Sequence, residues 1–275
     1  MTDGTDTGPD TRPDTGPGTD PLLARLAAPP APPTDLTPRV VDAWLRTDGP
    51  LGEILVVLGH QGVRYLRDAD RGEEAFRAEY RRRFGRPLVA HRGRAPRGLT
   101  PALRGRGPGP ALDLDGASPF ERAVLRTLAT IPAGETRPYG WLAREAGRPR
   151  AVRAVGTVLA RNPVPLLLPC HRVTRADGGL GEYLFGATAK ADLLRDEGAD
   201  VDELTALAAV GTTLVGSDTT GVVCFPSCHH ARRVTVPHRH GFRTAADALA
   251  AGYRPCRHCR PVGEPHPAAG TDEGP

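Results

Sequence analysis

Lysine is almost missing from this chain of 275 residues: of its 36 lysines and arginines, only Lys190 is a lysine. Arginine forks suit phosphate, but a GC-rich genome produces the same bias, so the net charge of +4 does not by itself name a nucleic-acid partner. Also absent is any run approaching the roughly 20 apolar residues of a membrane-spanning helix. The first residues do not follow the basic, apolar, small-residue order of a secretion signal. These absences predict a soluble cytoplasmic protein with no membrane partner. Aromatic residues are few at 5%, yet 39% hydrophobic residues suffice for ordinary cores. Cysteines number five, an odd count, and four of them fall as Cys-x3-Cys and Cys-x2-Cys. That pattern argues against a disulfide framework and fits a reducing compartment.

Against this background one stretch carries chemistry: Pro169-Cys170-His171-Arg172-Val173. Cys170 follows the apolar run Leu166 to Leu168 and is bracketed by Pro165 and Pro169, which predicts a fixed, partly buried turn. A thiol is nucleophilic only as thiolate, and a neighbouring histidine oriented by a carboxylate is the usual means of making one. His171 is adjacent, and Glu197 is a carboxylate able to orient it. The competing reading is a buried structural cysteine beside a surface histidine.

Residues 1–37, rich in Thr, Asp, Gly and Pro, read as a disordered tail. Residues 38–110 read as an α/β domain. Short strands are expected near 40–45, 53–58 and 62–66, followed by a charged helix over 73–84 ended by Gly85 and Pro87. The Gly/Pro/Arg-rich stretch 92–110 reads as a linker to a mainly helical domain spanning 111–200. Its first helix is announced by Ser118-Pro119-Phe120-Glu121, a capping box with proline at the first helical position, followed by Val124, Leu125, Leu128 and Ile131 at helical spacing. Two further helices, 139–146 and 150–161, flank the turn Gly147-Arg148-Pro149, a helix-turn-helix outline. The second presents Arg150, Arg153 and Arg161 among the small residues Ala151, Ala154, Gly156 and Ala160. Small residues admit a helix to a DNA groove, where arginine contacts phosphate or takes the place of a base. Equally, a small face can pack against a core. The glycine-rich loop 177–181 suggests the wall of a pocket, and a helix over 188–197 closes at Gly198.

Taken together, Glu135-Thr136-Arg137-Pro138-Tyr139-Gly140, Arg153-Ala154-Val155-Gly156, Arg161-Asn162-Pro163-Val164-Pro165, Pro169-Cys170-His171-Arg172-Val173 and Gly178 to Tyr183 resemble the O6-alkylguanine-DNA alkyltransferases, also called methylated-DNA–protein-cysteine methyltransferases. The spacing agrees throughout 120–198. The resemblance implies double-stranded DNA carrying alkylated bases as partner, a monomer working at the nucleoid, and repair of O6-alkylguanine, with O4-alkylthymine as a second candidate substrate. Cys170 is implied as the alkyl acceptor, His171 as its base through a water, Glu197 as the group orienting His171, and Asn162 as support for the cysteine turn. Arg153 is implied to fill the space of the extruded nucleotide, with Arg150, Ala154 and Gly156 on the same DNA-binding helix. Tyr139 is implied to press on the 3′ phosphate and assist protonation of the leaving guanine, and Val173, Gly181 and Tyr183 to line the base pocket. Because the target atom lies inside the stack, the base must be flipped out at a cost of a few kcal/mol. Thiolate attack on an sp3 carbon leaves a thioether that water does not cleave, so each molecule reacts once. The alternatives are a damage-sensing protein that binds DNA without reacting, and a cysteine hydrolase, whose partner histidine normally comes from distant sequence.

The remaining residues, 201–263, read as a small α+β zinc module, with 264–275 as a tail. Cys224-x3-Cys228 and Cys256-x2-Cys259 have the spacing of a four-sulfur zinc site, while His229, His230, His238, His240 and His258 crowd the same region. Thr219 to Cys228 and Ala250 to Cys256 resemble the zinc domain of the Ada proteins, in which the first ligand also accepts methyl from a DNA phosphotriester. That role would fall on Cys224. Phe225 stands where the resemblance calls for arginine, and the stretch after Cys228 departs from the pattern. No regulator-type helix-turn-helix follows Cys259, which argues against transcriptional activation. Zn2+ is the one cofactor implied, with no organic cofactor.

Overall fold

In strand β2 (Gly52–Gly59), Ile54, Leu55, Val56 and Val57 are all fully buried, so both faces of this strand are covered. Such a continuous apolar run is the mark of an interior strand. A computed structural model describes residues 40–262 of the chain; the expected tails 1–37 and 264–275 lie outside the described residues. The sheet holding β2 runs β3-β2-β1-β4, with β1 (Asp42–Gly49) and β3 (Gly62–Asp68) antiparallel to β2 and β4 (Leu88–Ala90) parallel to β1. One face, through Leu55, Val57 and Tyr65, packs on Phe76 and Tyr80 of helix α1 (Glu73–Phe84). The other, through Ile54, Val56, Val63 and Leu66, joins the main core.

The stretch 92–110, expected as a linker, is built into that core. Helix α2 (Leu99–Leu103) lies inside it and buries Leu99, Ala102 and Leu103, apolar residues spaced i, i+3, i+4 that the surrounding Gly, Pro and Arg obscure in the sequence. Downstream, Val63 N donates to Ala111 O at 2.9 Å and Asp113 N to Val63 O at 2.8 Å, which extends the sheet edge beyond β3. Gly62 permits this approach: a Cβ there would sit 2.0 Å from the Ala111 oxygen, and its φ of +143° is one that side chains rarely adopt.

Helix α3 (Pro119–Ala129) forms as its capping box predicts. Glu121 N donates to Ser118 Oγ at 3.2 Å and Ser118 N to Glu121 Oε2 at 2.7 Å. Val124, Leu125, Leu128 and Ile131 are buried at the centre of the main core. Helix α4 (Tyr139–Glu145) and helix α5 (Val152–Ala160) pack on α3 and on each other across a turn whose Gly147 has φ 76°. Two-residue strands β5 (Arg137–Pro138) and β6 (Val173–Thr174) pair in parallel, Arg137 with Val173 and Pro138 with Thr174. Helix α6 (Ala187–Asp196) follows, then α7 (Val201–Ala209), a helix the sequence pattern did not single out.

The C-terminal stretch is a second sheet of order β10-β8-β7-β9, from β7 (Leu214–Ser217), β8 (Val222–Cys224), β9 (Arg239–Phe242) and β10 (Arg254–Pro255). Helix α8 (Ala245–Ala250) starts at a Thr244/Asp247 capping box. The main hydrophobic cluster is continuous from β2 and β3 through α3, α4 and α5 to Val223, Cys224, Cys228 and Cys259. Leu128, fully buried within it, is expected to cost about 2–5 kcal/mol when cut to alanine, as the transfer and cavity terms add. Urea denaturation of Leu128→Ala against the parent chain measures this.

Candidate active site and metal centre

Cys170 opens a single 3-10 turn, Cys170–Arg172, directly before β6. The approach to it is tight: Leu166 is a buried residue with a left-handed φ of 72°, held where Leu168 N donates to Val164 O at 2.9 Å. A left-handed leucine is strained and persists only where its surroundings enforce it. Asn162, fully buried, ties this loop together. Its Nδ2 donates to Leu168 O at 2.8 Å and lies 3.3 Å from Cys170 Sγ, while its Oδ1 accepts from Val164 N at 3.1 Å. Cys170 keeps 7% of its surface exposed. Burial pushes its thiol pKa up, while the Asn162 hydrogen bond and the charge of Lys190 pull it back. The thiol therefore rests protonated, and making the nucleophile requires a base.

His171 follows Cys170 in the same turn and is buried. One ring nitrogen, Nε2, lies 2.9 Å from Glu197 Oε1, and its other, Nδ1, is buried with no hydrogen-bond partner among the described residues. Burial lowers the imidazole pKa against the opposing pull of Glu197, which keeps the ring neutral. A carboxylate only accepts, so Nε2 carries the hydrogen and Nδ1 presents the lone pair. Glu197 is held in turn by Arg172, whose Nε and Nη2 approach its oxygens at 2.9 Å and 2.7 Å, and by Gly134 N at 3.0 Å. Burial alone would raise the Glu197 pKa, but the hydrogen bonds from His171 and Arg172 outweigh it and bring it down to about 2.

Tyr183 meets His171 edge-on, ring centres 5.9 Å apart, and its hydroxyl is buried without a partner among the described residues. Burial and then the nearby Cys170 raise the Tyr139 pKa at the first residue of α4. Val173 is fully buried and its carbonyl is occupied by Lys190 Nζ at 2.6 Å; Gly181, at φ 71°, packs against Arg175. Asn162, His171, Glu197, Tyr139 and Tyr183 thus gather around the cysteine turn, whereas Gly181 is placed only against Arg175. The residues expected on DNA lie elsewhere, on the outer face of α5 and the turn before it: Arg150, Arg153 and Ala154 are exposed, and a Cβ at Gly156 would meet nothing within 4 Å. Val155, Val158 and Leu159 face the core instead, so the small residues are not the packing face.

Two residues were missed at the level of sequence. Arg172 positions Glu197, and Lys190, fully buried, has its pKa lowered to about 8 by that burial. The signal for Lys190 was its singularity as the one lysine of an arginine-rich chain.

Cys224, Cys228, Cys256 and Cys259 are buried and free, with sulfurs within 4.8 Å of one another. Phe225 N lies 3.4 Å from Cys259 Sγ, a backbone donor aimed at sulfur. Four converging thiols with backbone support suit tetrahedral Zn2+. His229 and His258, expected as possible substitutes, turn ring nitrogens to Glu135 Oε1 at 3.0 Å and 3.1 Å.

Each of these two sites lies in a stretch that has counterparts in known families. Residues 119–199 match the family model described as 6-O-methylguanine DNA methyltransferase, DNA binding domain, and residues 206–262 match the metal binding domain of Ada. A methylated-DNA–protein-cysteine methyltransferase of Salmonella typhimurium is 35% identical over 159 residues, 54% of this chain and 91% of that one. One from Shigella flexneri is 47% identical over 83 residues, 30% of this chain and 48% of that one. The bifunctional transcriptional activator/DNA repair enzyme Ada of Escherichia coli is 48% identical over 86 residues, 31% of this chain and 24% of that one. The chain thus spans about half of the Shigella flexneri relative and about a quarter of the Escherichia coli one. It belongs to the methylated-DNA–protein-cysteine methyltransferase family and carries an Ada-type metal-binding domain C-terminal to the part that matches that family.

The lowered Glu197 pKa fixes an acid limit. Its folded value lies below the ordinary 4.5, so its contribution, roughly 3 kcal/mol, is present above pH 4.5 and lost as pH falls toward about 2. Unfolding free energy measured across that window is expected to fall by this amount, and more shallowly in Glu197→Gln.

Proposed function

We propose that this protein repairs alkylated DNA by moving a methyl or larger alkyl group from O6 of guanine to Cys170, once per molecule. The observation that carries this reading is the buried line Asn162–Cys170–His171–Glu197–Arg172, a thiol with a neutral base beside it and a fixed carboxylate behind the base. In the proposed step the Cys170 proton passes, through a water, to the free Nδ1 of His171, and the resulting charge is stabilised by Glu197. The thiolate attacks the alkyl carbon, the S–C bond forms as the C–O bond breaks, and guanine leaves with a proton whose delivery Tyr139 assists. The product is a thioether with no hydrolytic exit.

Helix α5 supplies the DNA contact in this reading. Its exposed Arg153 and Ala154, with open space at Gly156, suit close approach to a groove, with Arg153 taking the place of the flipped nucleotide. Arg150 lies beside them for phosphate. Tyr183 and Gly181 border the base site, and the unpartnered Tyr183 hydroxyl supports contact with the incoming base. Zn2+ bound by Cys224, Cys228, Cys256 and Cys259 would hold its ligands as thiolates. A cavity of about 570 Å³ beside Cys224 is lined by Arg233, Arg254 and Arg257 as well as Ser217 and Thr219, a chemistry suited to a DNA phosphate. It supports Cys224 as a second methyl acceptor, from methylphosphotriesters.

Mass spectrometry of peptides after incubation with duplex DNA containing O6-methylguanine is expected to show the Cys170 peptide heavier by one CH2, and no change in Cys170→Ser. An unmodified Cys170 under excess lesion would overturn the assignment and leave a protein that binds lesions without reacting. Methylphosphotriester DNA is expected to place the same increment on the Cys224 peptide. Its failure to do so would reduce the metal centre to a structural role.

A further inference from the structure

The chain between the first two zinc ligands is occupied with the other half of the protein. Ser227 Oγ accepts from Thr136 N at 2.7 Å, lies 3.0 Å from Thr136 Oγ1 and 3.3 Å from Thr136 O. Immediately after Cys228, His229 N donates to Glu135 Oε1 at 3.1 Å, and the rings of His229 and His258 lie against the same oxygen. Glu135 also pairs with Arg137. The Arg137 guanidinium in turn sits 5.5 Å from the ring centre of Phe225 and 5.7 Å from that of Trp141 on α4. Glu135, Thr136, Arg137 and Ser227 are all buried, so these polar groups find their partners in each other. A second grip holds the far end of α4. Directly after the last zinc ligand, Arg260 O accepts from Arg144 at 2.7 Å and Arg260 Nη2 pairs with Glu145 at 2.8 Å.

What is gripped matters for the cysteine. Residues 135–136 run straight into β5, which leads directly into Tyr139 at the start of α4 and pairs with β6, which begins where the Cys170 turn stops. From Cys228 to Cys170 the path is Ser227, Thr136, Arg137, then across the strand pair to Val173. A four-sulfur site owes its shape to the ion it holds, since apposed thiols have no other reason to converge.

We propose that the metal-held loop from Cys224 to Cys228 is a positioning element for alkyl transfer at Cys170: through Ser227, His229 and Phe225 it sets strand β5, and with it Tyr139 and helix α4, against the acceptor sulfur. Its effect on transfer rests on the reading of Cys170 as acceptor; the mechanical link does not. None of these three residues touches the reacting atoms, so they act on the approach of Tyr139 to the site. Losing one buried hydrogen bond at such a joint corresponds to a rate change of about tenfold.

The full chain carrying Ser227→Ala tests this. The variant is expected to retain its zinc by metal analysis and to bind undamaged duplex as the parent does, yet to transfer methyl from O6-methylguanine about tenfold more slowly. Ser227→Thr, which keeps the hydroxyl, is expected to recover part of the rate. A general loss of folding would lower zinc content and DNA affinity as well. Hydrogen exchange supplies a readout independent of chemistry: removing zinc from the parent with a chelator is expected to speed exchange of the Thr136, Arg137 and Val173 amides as well as those of residues 214–259. Phe225→Arg, which sets a second cation against buried Arg137, is expected to do the same with zinc in place. Exchange changes confined to residues 214–259, or a zinc-loaded Ser227→Ala that transfers at the parental rate, would overturn the proposal. If the parent itself leaves Cys170 unmodified, the acceptor reading fails, and the exchange data alone decide whether the link exists.

Discussion

Glu197 is the one acceptor on which His171, Arg172 and the backbone of Gly134 all converge, and these donors keep it charged and still. It caps the end of α6, the helix that also carries Lys190 to the Val173 carbonyl. Arg172 adds a bond to Ile131 O, so the same guanidinium ties the cysteine turn to the end of α3. A buried carboxylate without these donors would be neutral and could not orient an imidazole. Burial of the sulfur and the fixed bonds around Glu197 thus meet in one turn, where a protonated thiol lies next to a neutral imidazole.

The second constraint is the joining of two units that the sequence presents in tandem. The metal-binding part is not appended by a free linker among the described residues. Arg232 reaches Gly198 O at 2.8 Å, and Gly178 of the glycine-rich loop lies against Ala208. Phe225 makes sense in this setting. An arginine at that place would face Arg137, which is buried and already matched to Glu135; an aromatic ring accepts the guanidinium face without adding charge.

The sequence made the cysteine site legible because its parts are local: Pro169 to Val173 is one turn, Asn162 is eight residues before Cys170, and the α3 capping box is readable letter by letter. The four zinc cysteines were legible for the same reason. Helix α2 was hidden, since Leu99, Ala102 and Leu103 sit in a Gly/Pro/Arg-rich context that reads as a connection. The joint between Glu135 and His229 was also out of reach. Its partners are 94 residues apart, and a glutamate beside an arginine in sequence gives no hint that two histidines and a serine will close over them. Arg172 was visible as a letter of a motif, but its work on Glu197 depends on where α6 ends.

Lys190 is the only lysine of the chain, and it is completely enclosed, with Nζ committed to the Val173 carbonyl. The folded protein therefore presents to its surroundings no side-chain amine at all. Acylating agents, aldehyde fixatives and amine-directed cross-linkers find no lysine to capture until α6 comes away from the cysteine turn, so the chain's one ε-amino group registers whether that turn and its helix are packed together.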